Sequence, residues 1–462
     1  MFSEAIYVSR RTLLMDALES GLIFLPGNGE SPMNYAGNPY PFRQDSTFLY
    51  YFGLDMPGLH ALIDLEAGHS WLFGKDPDMH DTVWTGPQPR IRELADRIGA
   101  DRSGEITELE NTLREAFANG RSVHFLPPYR HQTMVWLGRL SGMDPERIGG
   151  HASEALIEAV VAQRSVKSPE EILEMDRAVD VTGIMHRAAM QATRPGITEA
   201  RLAGMMEGIA VGEGGRLSYP AIVSVQGQIL HNPYHHNTLQ AGQLLLADCG
   251  AETPRRYAGD ITRTWPVSQS FSSRQRDIYE IVLRSQEAAL AALAPGLPYR
   301  DVHLLACKVL TEGLQDLGLM TGDVEASVAA GAHALFFPHG LGHLIGLDVH
   351  DMENLGEDKV GYDEHLSRSP QFGLRALRLG RDLQPGFTLS VEPGLYFIPE
   401  LIRQWEQEGR HQNFIRYDKL EPYLNFGGIR IEDLALITAD GYRLLGKPIP
   451  KAISELEELR AT

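Results

Sequence analysis

Apolar residues recur with helical period from Tyr7 to Leu18, then run on without interruption through LIFLPG, where Pro26-Gly27 stops them. That pattern predicts an amphipathic helix feeding a strand. HALIDLE and HSWLFGK read as two more strands joined by an Ala-Gly turn. IRELADRIGA and ITELENTLREAF keep helical spacing, and SVHFLPP closes the series as a strand with a Pro-Pro stop. Strands alternating with helices predict an α/β domain with a mixed or parallel sheet. The aromatic-rich stretch NPYPFRQDSTFLYYFG reads as a core strand with a polar lead-in, the alternative being an interface or the wall of a site.

The pattern loosens at RLSGMDPERIGGHASEA, which is rich in Gly and polar residues. A boundary there divides the chain into residues 1–155 and 156–462. SVKSPEEILEMDRAVDVTGIMHRAAMQA then opens on a Ser-Pro-Glu-Glu helix start and keeps helical period for several turns. Beyond about residue 219 the segments AIVSVQG, QLLLADCGAE, AGDITRTWPV, FTLSVEPGLYF and GGIRIEDLALIT are β-like and enclose two long helical patterns. Separate strand-rich and helix-rich blocks predict an α+β second part.

Charge narrows the function classes. The 61 acidic against 42 basic side chains give a formal charge of −19, which repels phosphate backbones and anionic lipid. A nucleic-acid or membrane-surface partner is therefore not expected, and no apolar run is long enough to span a bilayer. Glu4, Asp16 and Glu19 interrupt the N-terminal segment, so it lacks the apolar stretch of a secretory signal. The two cysteines, Cys249 and Cys307, form no CxxC pair. No disulfide framework or thiolate zinc site is expected, and a reducing, cytoplasmic setting fits best.

The candidate chemistry lies where charge interrupts apolar frames. Asp248 ends QLLLAD, Asp260 sits in YAGDITRTW, His343 in FFPHGLGHLIGLDVHD, Glu392 in FTLSVEPGLYF, and Glu432 follows GIRIE. A buried carboxylate must be paired or bind metal. One such residue has dull explanations; five in one half of the chain call for a shared one. If they converge, four carboxylates and one imidazole form a mostly oxygen donor set. That set suits Mn²⁺ first, with Zn²⁺, Co²⁺ and Fe²⁺ left open. Four negative charges balance two divalent ions, and two ions bridging a water make hydroxide available near neutral pH. His339 and His343 flank Gly-Leu-Gly, and His350 follows. Arg430 lies two residues before Glu432, placed to fix a carboxylate or to make a rim salt bridge. His231, in ILHNPYHHN, is a loop histidine with an open role; His235 and His236 read as solvent-exposed.

In this order, D…GDITRT…HGLGHxxGLDVHD…VEPGxY…GGIRIED resembles the M24 metallopeptidases of pita-bread fold, and within them the Xaa-Pro branch of prolidase and aminopeptidase P. RQDSTFLYYFG is similar to a segment of that branch's N-terminal domain, so the resemblance spans nearly the whole chain. It implies an aminopeptidase P-like α/β domain over 1–155 and a catalytic α+β domain over 156–462. It also implies two divalent metal ions, Mn²⁺ first. Asp248 and Asp260 would hold one ion, His343 and Glu392 the other, with Asp260 and Glu432 bridging. Glu392 would handle the proton as general base, His350 would stabilise the tetrahedral intermediate, and His339 would assist substrate and leaving group. His231 would meet the substrate near its proline, and Arg430 would orient the ligands. Asp248 and Asp260 stand twelve apart, one more than the family pattern, so PRR in AETPRRYAGD is expected to lengthen a hairpin tip.

The implied substrate is a small peptide with proline in second position. RALRLGRDLQPG is similar to the prolidase stretch whose arginine meets a dipeptide's free carboxylate, here Arg378. Trp84, in DTVWTG, is similar to a tryptophan reaching into a neighbouring subunit's site, which implies a homodimer or larger homo-oligomer. These features favour an Xaa-Pro dipeptidase. An aminopeptidase acting on longer peptides is the alternative, and a metal-free binding module of the same fold the remote one.

Overall fold

A computed structural model describes residues 1–461. The chain divides into two compact units, residues 1–164 with 352–359, and residues 165–351 with 360 to the C-terminus. It passes from one to the other at the end of helix Glu154–Ser165.

The first unit is built on a five-stranded mixed sheet. Its strands are β1 (Leu22–Pro26), β2 (His60–Asp64), β3 (His69–Phe73), β4 (Arg102–Gly104) and β5 (Val123–His124), in the order β4-β3-β2-β1-β5. β1 pairs antiparallel with β2 and β2 with β3, while β5 joins β1 and β4 joins β3 in parallel. Helices Ile106–Ala118 and His131–Ser141 cover it with Leu109, Leu113, Leu137 and Leu140, which pack on Leu22, Phe24, Leu62 and Phe73. The expected α/β character follows from this alternation.

One expectation for this unit is wrong. The aromatic run STFLYYF, read as a strand, is a helix over Ser46–Phe52. The Asp45 carboxylate caps it by accepting from the Phe48 N–H at 2.8 Å, and Gly53 ends it at φ +66°. All seven residues are buried. A helix buried all round needs no polar face, so its apolar run shows no helical period and looks like a strand in sequence. Gly53 is required twice over, since an added Cβ would also lie 2.1 Å from the Tyr7 ring.

The second unit holds long helices against short antiparallel sheets. Helix Pro169–Ala192 starts as expected: Ser168 and Glu171 cap each other's backbone N–H groups. β6 (Arg216–Leu217) pairs with β9 (Ala251–Glu252). β8 (Leu244–Asp248) runs between β7 (Ile222–Ser224) and β10 (Thr262–Pro266). β11 (Thr388–Val391), β14 (Asp433–Thr438) and β15 (Gly441–Leu444) form another sheet, and β12 (Gly394–Tyr396) pairs with β13 (Gly428–Arg430). No described helix is long and apolar enough to cross a membrane.

Candidate metal centre

Asp260, Glu392 and Glu432 stand beside strands rather than inside them, which corrects the β-like reading of their segments, while Asp248 ends its strand as expected. Val391 pairs with Asp433, and Gly394 pairs with Arg430. Between those pairs both chains break step, one at Glu392-Pro393 and the other at Ile431-Glu432. Pro393 has no N–H for a ladder, so the interruption is built into the sequence. The break lets Glu392 and Glu432 leave the sheet and face one cavity. Asp248 is the last residue of β8, opposite Thr262, and Asp260 lies just before β10. The Glu432 N–H donates to the Thr262 carbonyl at 3.0 Å, which ties the two sheet systems together at the acids.

His343 reaches the same place on a loop that runs along β11. Its carbonyl accepts from the Ser390 N–H at 3.0 Å, and the Glu392 N–H donates to the Leu341 carbonyl at 2.8 Å. Gly342 makes this approach possible, because a Cβ there would lie 2.0 Å from the Ser390 carbonyl oxygen. The His343 Nδ1–H points at the Leu344 carbonyl, 3.0 Å away, which turns the unprotonated Nε2 toward the acids. Nε2 lies 3.5 Å from both Asp260 Oδ2 and Glu392 Oε1.

The cavity has a volume of about 730 Å³. Asp248, Asp260, His343, Glu392 and Glu432 line it, together with His231, His339, His350, Arg378 and Arg430. Pro220, Ile222, Leu230, Pro233, Pro338 and Val349 supply apolar wall. The His350 ring lies 4.3 Å from that of His343. Trp84 is not among the lining residues. It sits on helix Met79–Thr85 in the first unit, three-quarters exposed, with its indole N–H donating to His80 Nε2 at 3.0 Å.

Electrostatics mark these acids as incomplete by themselves. Burial pushes the Asp260, Glu392 and Glu432 carboxyls well above the ordinary range. Neighbouring negative charge adds to the shift: Asp248 acts on Asp260, Glu432 on Glu392, and Asp260 on Glu432. Thr262 Oγ1 donates to Glu432 Oε2 at 2.7 Å, yet Glu432 Oε1 is buried without a hydrogen-bond partner among the described residues. Ligand atoms of Asp260, His343 and Glu432 all lie within 4.8 Å of one another. A divalent cation fits this donor set, since it would take up the orphaned oxygen and reverse the like-charge cost.

Comparison with known proteins places the chain in a family. Residues 174–439 match the model of metallopeptidase family M24, and residues 7–126 match that of the aminopeptidase P N-terminal domain. The chain belongs to metallopeptidase family M24. It is 31% identical to the Xaa-Pro dipeptidase of Homo sapiens, over 96% of this chain and 90% of that one. It is 32% identical to the Xaa-Pro aminopeptidase of Escherichia coli, over 97% of this chain and 96% of the other. The structure of Zn-substituted E. coli aminopeptidase P in complex with product superposes with a TM-score of 0.82 at 30% identity, covering 100% of this chain and 98% of that one. The pairing of an α/β N-terminal domain with an α+β M24 domain, expected from the motifs, is thereby shown, and a divalent-metal requirement comes with the family.

In this M24 chain two tyrosines and a threonine join the site without having been singled out in the sequence. The Tyr219 hydroxyl lies between two carboxylates, 2.5 Å from Asp248 Oδ1 and in contact with Asp260 Oδ1. The Tyr396 hydroxyl accepts from Arg430 Nη1 at 2.9 Å and lies 2.8 Å from His339 Nε2. Arg430 also grips Asp248 through Nη2 and Thr262 Oγ1 through Nε. Burial opposes the guanidinium charge, but Tyr396, Asp248 and Glu392 around it push its pKa up. His339 goes the other way. Burial and the nearby Arg430 charge pull it down to about 3, so its ring is neutral, and its Nδ1 lies 2.8 Å from the Gly340 carbonyl. Tyr219 carried no sequence signal, and Tyr396 was visible only as the aromatic end of VEPGLY.

Proposed function

We propose that this chain hydrolyses Xaa-Pro bonds, with Xaa-Pro dipeptides as preferred substrates and two divalent ions, Mn²⁺ first, held by Asp248, Asp260, His343, Glu392 and Glu432. The observation that carries the reading is the meeting of those five side chains in one cavity whose wall also presents Arg378. Residues 1–155 would form the accessory domain and 156–462 the catalytic one. Asp248 and Asp260 would hold one ion and His343 and Glu392 the other, with Asp260 and Glu432 shared. Such ions supply Lewis acidity and a water acidic enough to attack near neutral pH.

The chain's own residues do the rest. Proline fixes φ and its imide nitrogen offers no N–H, so the site must hold the peptide by its ends and its ring. The apolar prolines, Ile222, Leu230 and Val349 exclude water around the ring, and His231 is placed to meet that end of the substrate. Arg378 pairs with the free carboxylate of a dipeptide. Glu392, whose carboxyl is pushed up by burial and Glu432, takes the proton of the attacking water and passes it toward the imide nitrogen. His350 donates to the developing oxyanion, worth about 2.7–4 kcal/mol for such a contact. Neutral His339, steadied by the Tyr396 hydroxyl, presents its ring to substrate and leaving group. Arg430 holds Asp248 in its ligating orientation.

The E. coli relative supports a second reading, an aminopeptidase that also takes longer peptides. Parallel assays of Ala-Pro and Ala-Pro-Xaa with Mn²⁺ separate the two. Strong preference for the dipeptide is expected; equal or better cleavage of the tripeptide would replace the dipeptidase reading with the second.

A further inference from the structure

A second donor cluster lies in the same unit, apart from the carboxylates. Helix Tyr299–Asp316 places His303 and Cys307 one turn apart on its buried side, and the turn Ala332–Leu335 brings His333 to them. Exposure is 1% for His303, 0% for Cys307 and 2% for His333, so solvent satisfies none of them. One ligand atom from each lies within 4.8 Å of the others. The Cys307 Sγ to His303 Nε2 distance is 3.5 Å. A tetrahedral Zn²⁺ with ordinary bond lengths sets its sulfur and nitrogen ligands roughly 3.5 Å apart.

Hydrogen bonding argues against a merely packed trio. A neutral imidazole carries one donor and one acceptor nitrogen, and a buried one normally satisfies both. Here both ring nitrogens of His333 have no hydrogen-bond partner among the described residues, and a bound ion would take one of them. Burial holds His303 down at about 3 and His333 at about 4, so both rings are in the neutral, ligating form. Two imidazoles and a thiol are a borderline-to-soft set, unlike the oxygen-rich cavity.

We propose that His303, Cys307 and His333 hold a structural zinc ion. Cys307 loses its proton to solvent as the ion binds, and the thiolate and two imidazole nitrogens become the protein ligands. Since the cluster is enclosed, the ion enters as the chain folds and exchanges slowly afterwards. Its structural effect is local. The Phe337 N–H donates to the His333 carbonyl at 3.0 Å, and the Phe337 ring lies 5.6 Å from that of His303 and 4.7 Å from that of His339. The ion would brace the base of the HGLGH segment from below.

Cobalt substitution tests this, because thiolate-to-cobalt charge transfer absorbs in the near ultraviolet and the carboxylate cavity offers no sulfur. The full chain is produced with Co²⁺ in place of Zn²⁺, as wild type, Cys249→Ala and Cys307→Ala. The chain has only two cysteines, Cys249 and Cys307, and both are buried and unbridged. Expected is a full-strength band in wild type and in Cys249→Ala, and its complete loss in Cys307→Ala. Absence of the band from wild type, or its disappearance in Cys249→Ala, overturns the proposal. Should Cys307→Ala fail to fold, the Cys249→Ala spectrum decides alone, since Cys307 is then the sole thiol.

Discussion

Glu432 and Asp433 are neighbours in sequence and both are buried, yet they live in opposite surroundings. Asp433 is met by cations: Arg263 Nη2 lies 2.6 Å from one oxygen, and Lys451 Nζ lies 2.7 Å from the other. Burial alone would push its carboxyl up, but those two charges hold it below the ordinary range. Among the described residues Glu432 has only the Thr262 hydroxyl on its carboxylate, and burial with Asp260 and Asp248 nearby outweighs the Arg430 charge and pushes it well up. Successive side chains along an extended chain point to opposite faces, so one step separates an acid that closes a structural ion pair from one that opens toward a ligand. Asp433, both of whose oxygens are met by protein cations, belongs to the scaffold. A buried acid with an orphaned oxygen belongs to something bound.

Substitution at the two neighbours should therefore fail in different ways. Asp433→Ala leaves the fully buried Arg263 without its carboxylate and should cost about 3–5 kcal/mol of stability, read by urea unfolding. A loss under about 1 kcal/mol would show that the pair is not structural. Glu432→Ala or Asp260→Ala should instead keep the fold and lower turnover by about 10²–10³-fold at saturating Mn²⁺. Near-normal turnover of either variant would break the assignment of the cavity to metal.

Acid titration sharpens the same contrast, because the signs differ. In chelated protein, Asp260, Glu392 and Glu432 hold protons that the unfolded chain gives up above about pH 4. Stability of that form thus falls as pH rises through the unfolded carboxylate values toward the raised folded ones. Metal should cancel this fall, so the Tm gap between loaded and chelated protein widens with pH. Asp433, whose folded value is depressed, contributes stability that is present above its unfolded pKa and lost as pH drops through the folded one. A Tm gap independent of pH would contradict the picture. Two smaller effects follow. Tyr219→Phe removes the hydroxyl between Asp248 and Asp260 and should weaken metal affinity about 10–100-fold, read by titration of the chelated protein. Arg378→Met should raise KM for Ala-Pro roughly tenfold while leaving a tripeptide little changed; equal effects on both would remove Arg378 from carboxylate binding.

Much of this was legible in the chain. Asp260, Glu392 and Glu432 announced themselves as charge inside apolar frames, and Ser168 with Glu171 announced a helix start. What was hidden depended on contacts across long sequence separations. Nothing near Tyr219 says that its hydroxyl will lie between Asp248 and Asp260. The strand breaks at Glu392 and Ile431 show only when Val391–Asp433 and Gly394–Arg430 register is known. The Ser46–Phe52 helix was missed because complete burial erases helical period. The cluster at His303, Cys307 and His333 joins a helix to a distant turn, and its cysteine stands outside any CxxC spacing.

Exhaustive chelation followed by Mn²⁺ readdition, with Ala-Pro hydrolysis as readout, tests the central claim most directly. Activity should fall to baseline in the chelated protein and return as Mn²⁺ fills the carboxylate cavity, and Glu432→Ala should show no such return. Undiminished hydrolysis by fully chelated protein would contradict the account.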